Sequence, residues 1–208
     1  MMLSKRQKHI IYGIILGDGY LQATGQKNAR LRVEHSAKQK HYIDWIYDHL
    51  NNVFTNEPKY IVRKHPKTKR YYDYYRLQSN SSPVFGKLQR AFYESKEKYI
   101  PDNISKYLQT NLTLAVWYMD DGFYYSKDKS AHFYLPLVDS KSQKNLLKCL
   151  KDNYGLEGKI YCCPDRKACQ LNLRGENKDN LFSLIKPYIL KGFNYKLPFN
   201  PVSTESEK

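Results

Sequence analysis

Leu112 to Phe123 reads L-T-L-A-V-W-Y-M-D-D-G-F. Its first eight residues are almost wholly apolar, the pattern of a helix buried on most sides, and the run stops at two carboxylates followed by a glycine. The last turn of a helix already carries partial negative charge on its unpaired carbonyls, so Asp120 and Asp121 sit where anions are disfavoured. A cation is therefore expected at this end, either a lysine or a divalent metal, for which carboxylate and carbonyl oxygens form a suitable site. Taken alone, Asp-Gly is better read as a short hairpin turn. A second copy favours the cation. Ile11 to Tyr20 reads I-Y-G-I-I-L-G-D-G-Y, and laid over the later stretch it puts Asp18 on Asp121 and Gly19 on Gly122.

The order of elements after each copy also repeats. After a first helix from about Lys5 to Gly17, capped by Ser4, the pattern predicts a hairpin through Gly25-Gln26-Lys27-Asn28 into Ala29 to Glu34. There Leu31 and Val33 share one face and Arg30, Arg32 and Glu34 the other. Ser36-Ala37-Lys38-Gln39 reads as a capping box opening a helix with Tyr42, Ile43, Ile46 and Leu50. A second hairpin over 59–64 and 70–78 has the basic tip His65 to Lys69, and a helix begins at Ser82-Pro83. In the second half, Phe123 to Ser126 and Ala131 to Val138 flank a Lys127 to Ser130 turn. Ser140-Lys141-Ser142-Gln143 is a second capping box, and strands over 159–163 and 168–174 meet at Pro164 to Lys167. A last helix is expected over 177–189. Asp18 to Ser36 is 18 residues and Asp121 to Ser140 is 19. The expected fold is α+β: two pseudo-symmetric αββαββα repeats over 1–98 and 111–198, joined by a polar linker at 99–110 and followed by a loose tail at 199–208.

The chain carries 35 Lys and Arg against 20 Asp and Glu, a net charge of +15, and 20 tyrosines. Basic and aromatic residues interleaved in this way suit phosphate neutralisation and base stacking, hence a nucleic-acid partner. The positive charge is spread along the chain rather than gathered on one amphipathic helix, which argues against a membrane surface. No apolar run reaches membrane-spanning length and no signal-peptide pattern opens the chain, so an intracellular protein is expected. Cys149, Cys162, Cys163 and Cys169 lack paired C-x-x-C spacing and read as reduced, mostly packing thiols. No His-Cys group has zinc-ligand spacing.

The two motifs and their common element order resemble the single-chain, two-motif LAGLIDADG homing endonucleases. Leu114 to Gly122 matches the nine-letter signature at its first two and last two positions, and Ile11 to Gly19 keeps Gly13, Asp18 and Gly19. The resemblance implies signature helices packed side by side between two antiparallel β saddles that lie in the DNA major groove. Gly13 and Gly17 give the first helix a smooth face for close approach, whereas the second helix has Val116 and Asp120 at those places, so an asymmetric seam is expected. It also implies that Asp18 and Asp121 converge on Mg²⁺, with the main-chain carbonyls of Gly17 and Asp120 as further metal ligands. Two carboxylates held so close repel unless cations lie between them.

Lys98 and Lys196 each shortly precede a proline, 80 and 75 residues after their respective aspartates. By the same resemblance they lie near the metal, where they orient or activate water and offset phosphate charge. The implied activity is hydrolysis of phosphodiesters on both strands of a long asymmetric duplex by a monomer. DNA contacts are expected from Arg30, Arg32, Arg63, Lys67, Lys69, Arg70, Tyr72, Tyr74 and Arg76 in the first half. Lys127, Lys129, Arg166, Lys167, Gln170, Asn172 and Arg174 are their counterparts in the second. The rival is a non-cleaving binder, a maturase acting on intron RNA or a regulator with the same fold; both aspartates and both lysine-proline segments favour the enzyme.

Overall fold

The computed structural model describes residues 2–94, 97–163, 165 and 167–198. Two helices form its spine: α1, Lys5–Leu16, and α4, Asn111–Asp121. Ser4 caps α1 with a complete capping box to Gln7, and Thr110 caps α4 through Thr113 N–H. The helices pack face to face with glycine against larger side chains. A Cβ on Gly13 would lie 2.6 Å from Val116 Cβ and 2.8 Å from Thr113 O, and one on Gly17 would run into the Asp120 side chain. Close approach thus rests on α1 alone, the asymmetric seam the sequence led us to expect.

Each helix leads into a four-stranded antiparallel sheet. The first comprises β1 (Tyr20–Ala23), β2 (Ala29–Ser36), β3 (Lys59–Lys64) and β4 (Tyr71–Gln78), ordered β1-β2-β4-β3. Helix α2, Lys40–His49, joins its two hairpins, and α3, Pro83–Phe92, closes the half. Two-residue strands β5 (Tyr93–Glu94) and β6 (Glu97–Lys98) come next. The second sheet has β7 (Gly122–Tyr125), β8 (Ser130–Pro136), β9 (Lys159–Cys163) and β10 (Ala168–Leu173) in the same relative order. Helices α5, Ser140–Tyr154, and α6, Gly175–Ile185, complete it. Strand alternation sends Leu31, Val33 and Leu77 into the core on one side and Phe133, Leu135 and Leu171 on the other. The expected linker, 99–110, buries Ile100, Ile104, Tyr107 and Leu108 against this core, while the tail at 199–208 lies outside the described residues.

Three local expectations are corrected. Ser36 makes no side-chain cap; it ends β2, a short 3₁₀ turn Ala37–Gln39 intervenes, and α2 starts at Lys40. On α5 the cap is Asp139, whose carboxylate accepts from Ser142 N–H at 2.7 Å, one residue before the serine of the apparent box. An ionised acceptor at that position outcompetes a hydroxyl and also faces the positive helix end. Finally, Cys162 and Cys169 are not separate thiols but are disulfide-bonded, because the β9–β10 register sets them directly opposite each other. Cys149 is buried and free, and Cys163 exposed and free. Among the described residues no helix is long and apolar enough to cross a membrane.

Candidate functional site

The C-terminal ends of α1 and α4 meet at one pole, where the two halves supply matching parts. Lys98, the last residue of β6, donates its Nζ to Gly17 O at 2.5 Å and Gly19 O at 2.9 Å. Lys196, at the end of a 3₁₀ segment Lys191–Lys196, donates to Met119 O at 2.6 Å and Asp120 O at 2.9 Å. Each lysine therefore neutralises the carbonyl end of one motif helix, at the carbonyl preceding its aspartate. Tyrosines fasten both arms. Tyr93, paired with Lys98 across β5–β6, accepts from Leu21 N–H at 3.2 Å, and Tyr118 Oη donates to Lys196 O at 2.7 Å.

The three aspartates differ in setting. The Asp18 side chain is 48% exposed and that of Asp120 is 0% exposed. Asp120 turns toward α1, where its Oδ2 accepts from Asp18 N–H at 3.0 Å and so ties the two motif ends together. His35, which sequence reasoning missed, closes the group: its Nδ1 is 3.7 Å from Asp18 Oδ2 and its Nε2 3.8 Å from Asp120 Oδ1. A signal for it existed. Position 35 continues the inward column of Leu31 and Val33, so a histidine there had to enter the core beside the end of α1.

Burial dominates the electrostatics. Asp121 is pushed up to about 7 by burial and by the charge of Asp18, against the pull of Lys98, Lys196 and the Trp117 indole. Asp120 is raised by burial and then by Asp18 and Asp121. Lys98 and Lys196 are both lowered by burial, which the acidic cluster opposes. The His35 imidazole is lowered by burial despite Asp18 beside it, which favours its neutral, ligating form. Asp18, His35 and Asp120 each offer a ligand atom within 4.8 Å of the others, and among the described residues the buried Asp120 Oδ1 and His35 Nε2 have no partner at hydrogen-bond geometry, although the Tyr42 hydroxyl faces Asp120 and the Gln39 side chain faces His35. With the adjacent carbonyls of Gly17 and Asp120, this oxygen-rich donor set fits a divalent cation.

The outward faces of both sheets flank this pole. In the first, the register aligns Arg32 with Gln78, Glu34 with Arg76, Lys59 with Arg76 and Arg63 with Tyr72. Arg30, Tyr74 and Tyr72 occupy the same face. Several of these groups are held by one another. Glu34 accepts from Arg63 at 2.5 and 2.8 Å and from Arg76 Nε at 2.6 Å, and Arg32 donates to Gln22 at 2.9 Å and Gln78 at 3.2 Å. In the second sheet Gln170 and Asn172 share the outward face, although Asn172 is largely covered, and Arg174 donates to Asp128 at 2.8 Å. Lys67, Lys69, Arg70, Lys127, Lys129 and Lys167 are exposed at hairpin tips; Arg166 lies outside the described residues.

Residues 8–181 match the sequence profile of the LAGLIDADG DNA endonuclease family, so the chain belongs to that family. Its fold is similar to a solved structure of the homing endonuclease I-WcaI bound to its DNA recognition sequence. The TM-score is 0.83 with 26% identity, over 96% of this chain and 89% of that one. A probable intron-encoded endonuclease 1 of Wickerhamomyces canadensis is 29% identical, over 95% of this chain and 86% of the relative. Protein RecA of Mycolicibacterium flavescens is 27% identical over 94% of this chain, which spans only 47% of that relative's length.

Proposed function

We propose that the chain is a monomeric, Mg²⁺-dependent homing endonuclease that hydrolyses one phosphodiester on each strand of a long asymmetric duplex, about 20 bp across two saddles. The observation that carries this reading is the paired pole: two motif aspartates at the ends of apposed helices, each with a half-buried lysine on the preceding carbonyl. Asp18 and Asp121 would hold the metal beside the His35 and Asp120 side chains, joined by the carbonyls of Gly17 and Asp120 when Lys98 and Lys196 leave them. When bound, Mg²⁺ supplies Lewis-acid stabilisation of charge on the scissile phosphate and lowers the pKa of water.

The chain's own groups do the rest. Lys98 and Lys196, kept below the ordinary lysine range by burial, orient the attacking water, exchange a proton with it and offset phosphate charge. Neutral His35 and buried Asp120 fix the orientation of Asp18. The basic hairpin tips hold the phosphate backbone, and the outward side chains of the strands meet base edges.

Incubation with a plasmid library and Mg²⁺ tests the proposal. Sparse double-strand cleavage that disappears in Asp18→Asn and in Asp121→Asn supports it. Tight binding with no cleavage by the intact chain would instead mean a non-cleaving nucleic-acid binder.

A further inference from the structure

Counting from Asp18 and Asp121, the strand registers superpose the two outward faces position by position. The first row beside the pole is Glu34, Arg76 and Lys59 in one sheet and Tyr134, Gln170 and Tyr161 in the other. The second row is Tyr20, Arg32 and Gln78 against Phe123, His132, Asn172 and Lys159. Arg76, Lys59 and Arg32 of the first half thus correspond to Gln170, Tyr161 and His132 in the second, whose two rows keep a basic side chain at Lys159 on the edge strand.

The replacement is organised. Phe123 is stacked between His132 and Tyr134, with ring centroids 4.8 Å apart on both sides and interplanar angles of 10° and 26°. Tyr134 and Tyr161 are 57% and 59% exposed, and Gln170 lies directly between them in the register. His132 spends its Nε2 on Ser130 at 2.5 Å and is buried, as is Asn172, so the ring surface that this sheet presents is that of Tyr134 and Tyr161. Opposite it, Arg32 is pinned by Gln22 and Gln78 and Arg76 by Glu34, which fixes the guanidinium forks on the first face.

These two chemistries suit different base pairs in the major groove. A guanidinium fork matches the paired acceptors of guanine, a carboxamide matches the donor and acceptor of adenine, and an apolar ring packs on the thymine methyl. We propose that the two halves of the duplex target differ in composition: the half under the second sheet is read through A·T pairs, by Gln170 and the exposed Tyr134 ring. The half under the first sheet is read through guanines, by Arg32 and Arg76. This inference rests on the chain being a DNA endonuclease and adds which bases each half selects.

The test is selection of bound duplexes by the intact chain, in Ca²⁺, from a pool with about 20 randomised base pairs. The expected winners are A·T-rich on one side of their centre and hold defined G·C pairs on the other. Gln170→Ala and Tyr134→Ala each relax the A·T half by about tenfold in relative enrichment, and Arg32→Ala relaxes only the other half by a similar factor. Enriched duplexes with the same composition in both halves overturn the inference and leave the DNA reading standing. So does relaxation of one and the same half by Gln170→Ala and Arg32→Ala. Failure to enrich any duplex removes the DNA reading itself, and the inference with it.

Discussion

Asp120 presents its carboxylate to the Asp18 main chain, so two substitutions there separate hydrogen bonding from charge. Asp120→Ala leaves the Asp18 N–H without its acceptor and costs about 0.5–1.5 kcal/mol in a urea melt, whereas Asp120→Asn keeps an acceptor and recovers most of that loss. Asp121 gives a pH dependence. Its folded value near 7 lies above the ~3.9 of an unfolded chain, so between those values the folded state binds more protons and stability falls as pH rises. Asp120 is raised too and acts with the same sign. In chelator, Asp121 and Asp120 should therefore pull stability down between about pH 4 and about pH 7 while the lowered His35 pulls it up, and Asp121→Asn should remove part of the downward contribution and change the slope. A slope unchanged in Asp121→Asn would contradict this assignment. At this scale the sequence revealed both aspartates and both lysines, because repetition exposes them. It hid His35, which has no counterpart in the second half, and the inward turn of Asp120, which depends on helix rotation about the seam.

The two hairpins of each half were legible as elements because strand alternation and turn residues agree, and β3, β4 and β9 fall where the pattern put them. Caps were less so: Asp139 and Ser140 compete for one helix start, and the choice depends on how β8 delivers the chain. The Cys162–Cys169 bond was illegible because it depends on register, which spacing alone does not fix. On the α1 seam, Gly13→Ala would force a methyl against Val116 and the Thr113 carbonyl, and should destabilise by about 1–3 kcal/mol in thermal melts. The hairpin tips carry a different tension. Lys69, Lys129 and Lys167 hold positive φ of 58°, 52° and 49°, a conformation that costs a side chain about 1–2 kcal/mol. Lys129→Gly should accordingly raise the melting temperature while lowering the salt slope of DNA binding by about one. A glycine that stabilises without weakening binding would remove Lys129 from the interface.

Taken as a whole molecule, the chain joins two sheets of unlike surface chemistry to one shared pole. The halves divide the work there: α1 supplies the glycines and the solvent-facing Asp18, and α4 supplies the buried Asp120 carboxylate and the half-buried Asp121. Such a pole requires both halves at once, and under the proposed function it lets a single chain with two motif copies act as a monomer on an asymmetric site. The most direct measurement is strand-resolved, single-turnover cleavage of a selected duplex by the intact chain, by Asp18→Asn and by Asp121→Asn, with binding measured in parallel. The account predicts that each variant still binds the duplex and that each loses cleavage on both strands by at least about 10²-fold. Near-normal cleavage in either variant would contradict it.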